Sequence, residues 1–202
     1  MPIQRAKPRL VDLDQTPLTS IAASDMPTGT ILQTVTTTDS TSTSYTSTDG
    51  SAPKTVISLA ITPSATSSKI LMFGFISIGG LYSSHSGTYD YIGVRLKRGS
   101  TVIGESADLS SATTVHGGDA TGARPMHSTA TDAGYSASRP NSIPFHFVDS
   151  PATTSATTYN IQGVIEDSPN QRTMLRNVGG YNYNNDEMAS ATCQLTLMEI
   201  KG

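Results

Sequence analysis

The sequence predicts an all-β fold, an antiparallel β-sandwich, on three observations. The first is the run from Thr55 to Gly80, where two strand-like stretches flank a polar turn carrying Pro63 and no helical period is present. The second is composition: 27 Ser and 29 Thr stand where most globular chains carry Lys and Glu, and charged residues make up only 14%. Thr suits a pleated surface, whereas Ser and Thr hydroxyls compete with the backbone inside helices, so this composition favours strands and loops. The third is rhythm, because short alternating segments recur between turn residues at the spacing of a sandwich.

Residues 1–28 come before that rhythm. Pro2, Pro8, Pro17 and Pro27 block a continuous helix or a central strand there. Leu10, Val11, Leu13, Leu18 and Ile21 are too many apolar groups to leave wet comfortably, which favours an extended arm that orders against a partner or a neighbouring protomer over a disordered leader. Arg5, Lys7 and Arg9 give its first ten residues a charge of +3, while 10 basic face 16 acidic side chains in the remainder. Three cations without interleaved aromatics, on an acidic body, suit a docking tail and argue against a nucleic-acid partner.

From Gly29 to the end, one domain is expected (29–202), with strands at 30–37, 43–48, 54–62, 69–79, 90–98, 101–106, 143–149, 157–166 and 190–200. In 54–62, Ile57, Leu59 and Ile61 alternate with Ser58, Ala60 and Thr62, as in a strand with one face buried. The 69–79 strand is apolar on both faces, with Ile70, Met72, Ile76 and Ile78 on one and Leu71, Phe73 and Phe75 on the other. Such a strand needs two covers, and a second copy of the chain could supply one. In 90–98, Ile92, Val94 and Leu96 oppose Tyr91, Arg95 and Lys97, and Gly99 marks a hairpin turn into Thr101. Ile143, Phe145 and Phe147 share a face, as do Tyr159, Ile161 and Ile165. Near the end Cys193, Leu195 and Leu197 alternate, but Met198 and Ile200 fall on the other parity, which a bulge or an interface contact would explain. Phe73, Phe75, Met198 and Ile200 are therefore the expected oligomer interface.

Two long stretches break the rhythm, 107–141 and 167–189. Loops of this length in a compact domain are functional or disordered, and both are candidate contact loops. His116, Asp119, Arg124, His127 and Tyr135 lie in the first; Tyr181, Tyr183, Asn184 and Asp186 lie in the second. Aromatic faces beside planar polar groups are what sugar recognition uses, although two tyrosines capping a sandwich edge account for the same residues.

Reactive chemistry is not legible. There is no nucleophile elbow, no His-Glu-x-x-His, no phosphate-binding loop and no Cys-x-x-Cys, so neither enzyme activity nor a cofactor is expected. The acidic and amide residues at 184–187 lack the spacing of a calcium loop, and no metal is expected. Cys193 stands alone, which excludes an intrachain disulfide, and its place in an apolar alternation marks a core residue. MPIQRAKPRL has no apolar signal region, and no apolar stretch is long enough to span a bilayer, so synthesis in the cytoplasm without membrane insertion is expected.

GTILQTV at Gly29–Val35, ITPSATSSKIL at Ile61–Leu71, RLKRGSTVIG at Arg95–Gly104 and LTLMEIKG at Leu195–Gly202 together resemble a β domain that recurs in bacteriophage tail-fibre and other virion proteins. The resemblance covers roughly 29–202 and rests on framework strands and turns. It implies a non-enzymatic homotrimer of jelly-roll type, attached to other virion proteins of a tail or a capsid. The arm and the 107–141 segment lie outside the matched pattern; on the reading of the residues themselves, docking would fall to Arg5, Lys7, Arg9, Leu10, Val11 and Leu13, and the loops would face host-surface polysaccharide or protein. A capsid decoration or head-fibre protein is the alternative within the same resemblance.

Overall fold

A computed structural model describes residues 22–47, 54–82, 91–104, 127–130, 141–165, 172–176, 178–179 and 189–202. A short 3-10 turn, Ala23–Asp25, precedes the strands β1 (Ile31–Asp39), β2 (Thr43–Ser47), β3 (Lys54–Ile61) and β4 (Lys69–Tyr82). After these come β5 (Tyr91–Arg98), β6 (Thr101–Ile103), β7 (His127–Ala130), β8 (Asn141–Asp149) and β9 (Thr157–Ile165). The last are β10 (Arg172–Arg176), β11 (Val178–Gly179), β12 (Ala189–Ser190) and β13 (Cys193–Ile200).

These strands build two antiparallel sheets, the sandwich expected from the alternation. The first runs β1-β13-β4-β10-β2, with β8 also on β4; the second runs β3-β9-β5-β6, with β7 also on β5. A two-stranded ribbon, β11-β12, stands apart in pairing. The long strand β4 serves two stretches of partner, β13 over Lys69–Phe75 and β10 over Ile78–Tyr82, while β8 pairs Ile70–Ile78. The chain crosses between sheets repeatedly: β1 and β4 lie in the first, β3 and β5 in the second, then β8 returns to the first and β9 to the second.

Parity decides what is buried. Ile70, Met72, Ile76 and Ile78 of β4 point inward and meet Cys193, Leu195 and Leu197 of β13, Ile143 and Phe145 of β8, and Val94, Leu96, Tyr159 and Ile161 of the second sheet. Gly74 keeps this inward row but has no side chain. A Cβ there would come within 2.0 Å of the Gln194 carbonyl oxygen, so close approach of β13 to β4 requires glycine. The β5–β6 turn uses Gly99 at φ 57, a left-handed conformation that glycine adopts without steric cost.

Strand directions give the sandwich two unlike ends. At one end lie the start of β1, the end of β13, the 62–68 turn, the 99–100 hairpin and the 150–156 connection. Strands flanking 48–53, 83–90, 131–140 and 166–171 all terminate at the other end. The stretches read from sequence as loops are not strand-free: β7 falls within 107–141, and β10 and β11 fall within 167–189. These strands are short, so alternation did not mark them; pairing defines them instead, β7 with β5, β10 with β4 and β2, and β11 with β12.

A candidate assembly face and the clasps that hold it

The outward positions of the first sheet form a continuous surface. Register places Thr34, Met198, Leu71 and Val148 in one row across β1, β13, β4 and β8. The next row is Thr36, Thr196, Phe73 and His146, and the third is Thr38, Gln194, Phe75 and Pro144. Leu71, Phe73, Phe75 and Met198 are half-buried, and Val148 is 49% exposed. Among the described residues these four half-buried side chains do not pack on the core, unlike Val35, Leu59 and Phe147 of the inner face. The twelve positions contain no Asp, Glu, Lys or Arg. Thr36 and Thr196 hydroxyls hydrogen-bond each other at 3.1 Å, which satisfies part of that row's polarity on its β1 side.

This arrangement gathers three of the residues expected at an interface, Phe73, Phe75 and Met198, and puts Ile200 beside Lys69 at the rim. The parity change at Met198 needs no bulge in β13. Cys193, Leu195, Leu197 and Glu199 point in without interruption, and Met198 and Ile200 simply belong to the outer face. The irregularity sits across the ladder, in β1 between Ile31 and Gln33, opposite Glu199 and Ile200.

Two buried clasps fix the arm-side end of the sandwich. In the first, the fully buried Glu199 accepts hydrogen bonds at Oε1 from Ser64 N–H (2.7 Å), Ser64 Oγ (2.6 Å) and Ser68 Oγ (2.6 Å). Its Oε2 accepts one from Gln33 Nε2 at 2.6 Å, and Gln33 also reaches the Thr62 carbonyl at 2.7 Å. Burial by itself raises the carboxyl, but the Ser64, Ser68 and Gln33 donors outweigh it and hold Glu199 below its ordinary value of 4.5. One ionised carboxylate thus ties the β3–β4 turn to β1 and β13.

The second clasp joins the sheets. Asp149 ends β8 and accepts from Arg98 Nη1 at 2.9 Å on both oxygens and from the buried Tyr159 hydroxyl at 2.8 Å. Burial, then the Asp149 hydrogen bond and charge, push the Tyr159 phenol well above its ordinary 10.0, so it stays a donor. Next to these clasps, Lys201 Nζ donates to the Ser24 carbonyl at 2.8 Å and to that of Met26, and Gly29 N–H donates to the Lys201 carbonyl at 2.8 Å. The last residues of the arm are therefore strapped to the end of β13.

Of the other sequence-based candidates, His127 opens β7, where only the backbone is described. His116, Asp119, Arg124, Tyr135, Tyr181, Tyr183, Asn184, Asp186, Arg5, Lys7, Arg9, Leu10, Val11 and Leu13 lie outside the described residues. Sequence reasoning missed Glu199, Asp149 and Val148. A charged residue on the inward parity of an apolar strand was the available signal for Glu199, and Val148, alternating against Phe147, was the signal for the face. Among the described residues no group of three His, Cys, Asp or Glu could hold a metal ion, and no helix is long and apolar enough to cross a membrane.

No protein-family model matches the chain, and no curated protein matches it. Among solved structures, the chain is similar to that of the infectious bursal disease virus Gx strain, at 15% identity and TM-score 0.36, over 85% of this chain and 37% of that one. The VP2 subviral particle of infectious bursal disease virus aligns at 14% identity and TM-score 0.30, over 85% and 39%. The chain thus spans little more than a third of the length of these structures. Similarity this low falls short of a shared fold, and the faces and clasps stand on the chain's own geometry.

Proposed function

We propose that the chain is a non-enzymatic structural protein of a virus particle, a bacteriophage tail-fibre or receptor-binding appendage working as a homotrimer. The observation that carries this reading is the polarity of the sandwich. The arm leaves at one end, strapped by Lys201, and the connections containing 83–90, 131–140 and 166–171 run from strands that terminate at the other. An appendage needs this separation, because one end must dock while the opposite end meets the host. The crossing of β1, β3, β4, β5, β8, β9 and β13 between two sheets supports the jelly-roll expectation. The resemblance of the four framework segments supports the virion assignment. A capsid decoration or head-fibre protein would use the same arm and the same scaffold.

In this reading Arg5, Lys7, Arg9, Leu10, Val11 and Leu13 dock to a tail or capsid protein. Tyr181, Tyr183, Asn184 and Asp186, with His116, Asp119, Arg124, His127 and Tyr135, contact host-surface polysaccharide or protein. The test mixes the full chain with host cells, with fibre-less virions and with empty capsids. Attachment to cells that is lost in Tyr181→Ala with Tyr183→Ala supports the receptor-binding reading. Binding to capsids alone, lost on reversing Arg5, Lys7 and Arg9 to Glu, makes it a decoration protein. Binding to none of the three overturns the virion assignment.

A further inference from the structure

The sequence leaves open which side of β4 is core and which is interface; the structure separates them. Ile70, Met72, Ile76 and Ile78 are fully buried inside the sandwich, while Leu71, Phe73 and Phe75 face outward beside Met198, Val148 and Pro144. We infer that this outer face of the first sheet, from β1 across β13 and β4 to β8, seats the same face of a second copy of the chain. A face that meets itself is a twofold contact that pairs copies, so the inference goes beyond the homotrimer of the proposed function and rests on that reading only in taking the protein to act in several copies.

Two arguments select a second copy over another occupant. The first is charge. When like faces pack about a twofold axis, residue i of one copy meets residue j of the other, and a charge near the axis is brought toward its own sign. The three rows carry none, and the first charged side chain met along β4 is Lys69, at the rim beside Ile200. A nucleic acid or an acidic polymer would find no cation within the face. The second is area. Four strands about 4.8 Å apart, counted over seven residues of about 3.3 Å so that the rim row of Ile200 and Lys69 is included, make a face of about 450 Å² in plan. Two such faces remove about 900 Å² before side-chain relief is counted, which brings the contact to the ~1,000 Å² where specific association begins.

Packing two sheets face to face also needs rows of side chains that interdigitate at a sheet separation of about 10 Å. The large Phe73 and Phe75 beside the smaller Thr196 and Thr36 give such relief. The second sheet offers no comparable face, since the half-buried Lys97, Asn160 and Gln162 occupy its outward positions beside the buried Arg95.

The experiment is sedimentation velocity of the full chain at micromolar concentration, beside Val148→Glu and the second-sheet control Lys97→Glu. The expected result is an oligomer for the unsubstituted chain and Lys97→Glu, and at least a tenfold weaker association for Val148→Glu with an unchanged circular dichroism spectrum. Should Val148→Glu fail to fold, Val148→Ser, which removes apolar surface without burying a charge, is read in the same way. A monomeric unsubstituted chain or an unweakened oligomer of the variant overturns the inference. An oligomer that binds neither cells nor particles would instead overturn the proposed function and leave the face intact.

Discussion

The two sheets share one core yet turn opposite characters outward. On the first, Leu71, Phe73, Phe75, Met198 and Val148 lie in adjoining rows with Thr34, Thr36 and Thr38 along the edge strand. On the second, the buried Arg95 donates from Nε and Nη2 to Gln162 Oε1 at 3.1 and 3.0 Å, and Gln162, Lys97, Asn160 and Ser58 form the polar surface. Inward, both sheets contribute Val, Ile, Leu and aromatic side chains to the same cluster. The difference teaches that folding uses the inward parity of both sheets and leaves the outward parity of the first sheet unused. Inward parity makes the sandwich, and outward parity of one sheet alone is free to make something further.

That separation can be broken in steps. Substitutions toward the core should cost stability in either sheet, substitutions on the first outer face should cost assembly, and substitutions on the second outer face should cost neither. The largest effect is expected at Gly74. Gly74→Ala sets a Cβ against the Gln194 carbonyl and should cost about 3 kcal/mol as β4 and β13 are forced apart. A urea melt with an unshifted midpoint would show that β13 can move away at little cost.

Glu199 comes next. Glu199→Ala strands the Ser64, Ser68 and Gln33 donors in a buried place and should cost about 3 kcal/mol, whereas Glu199→Gln should cost less. Because its folded value is depressed, Glu199 contributes stability above the ordinary 4.5 and loses it as pH falls through the lower folded value. Urea midpoints taken from pH 7 down to pH 3 should therefore drop more for the unsubstituted protein than for Glu199→Gln. Parallel curves would contradict the clasp.

Tyr159→Phe removes one neutral donor from Asp149 and leaves Arg98 in place, so a loss of about 1 kcal/mol is expected. A loss of several kcal/mol would mean that the cross-sheet clasp depends on the phenol more than on the guanidinium. The smallest effect on stability belongs to Val148→Glu, within about 0.5 kcal/mol of the unsubstituted chain, because the side chain is half in water. Its effect on association should be the largest of the series, and that inversion of rank is what the comparison of faces demands.

Much of the scaffold was legible from alternation. The expected 54–62 strand is β3 at Lys54–Ile61, and the expected 157–166 strand is β9 at Thr157–Ile165. Period two survives wherever one face is buried, which is why Ile57, Tyr159 and Leu195 announced themselves. It failed at β7 and β10: HSTA is almost wholly polar, and RTMLR is framed by arginines, so pairing with β5 and β4 defines these strands where pattern does not. The interface expectation named Phe73, Phe75 and Met198 for their excess apolarity, and register puts the three together on the outer face. Val148 and Pro144 complete the face only through the register of β8 on β4, which no local pattern encodes. Glu199 was hidden for a different reason. Its donors, Ser64, Ser68 and Gln33, are 135, 131 and 166 residues away in the chain.

The most direct test of the difference between the faces is side-chain footprinting of the full chain over a concentration series, read residue by residue. The account predicts that labelling of Leu71, Phe73, Phe75, Met198 and Val148 falls together as concentration rises, while labelling of Lys97, Val102 and Asn160 stays constant. Equal labelling of both sets at every concentration, or protection confined to the second sheet, would contradict it.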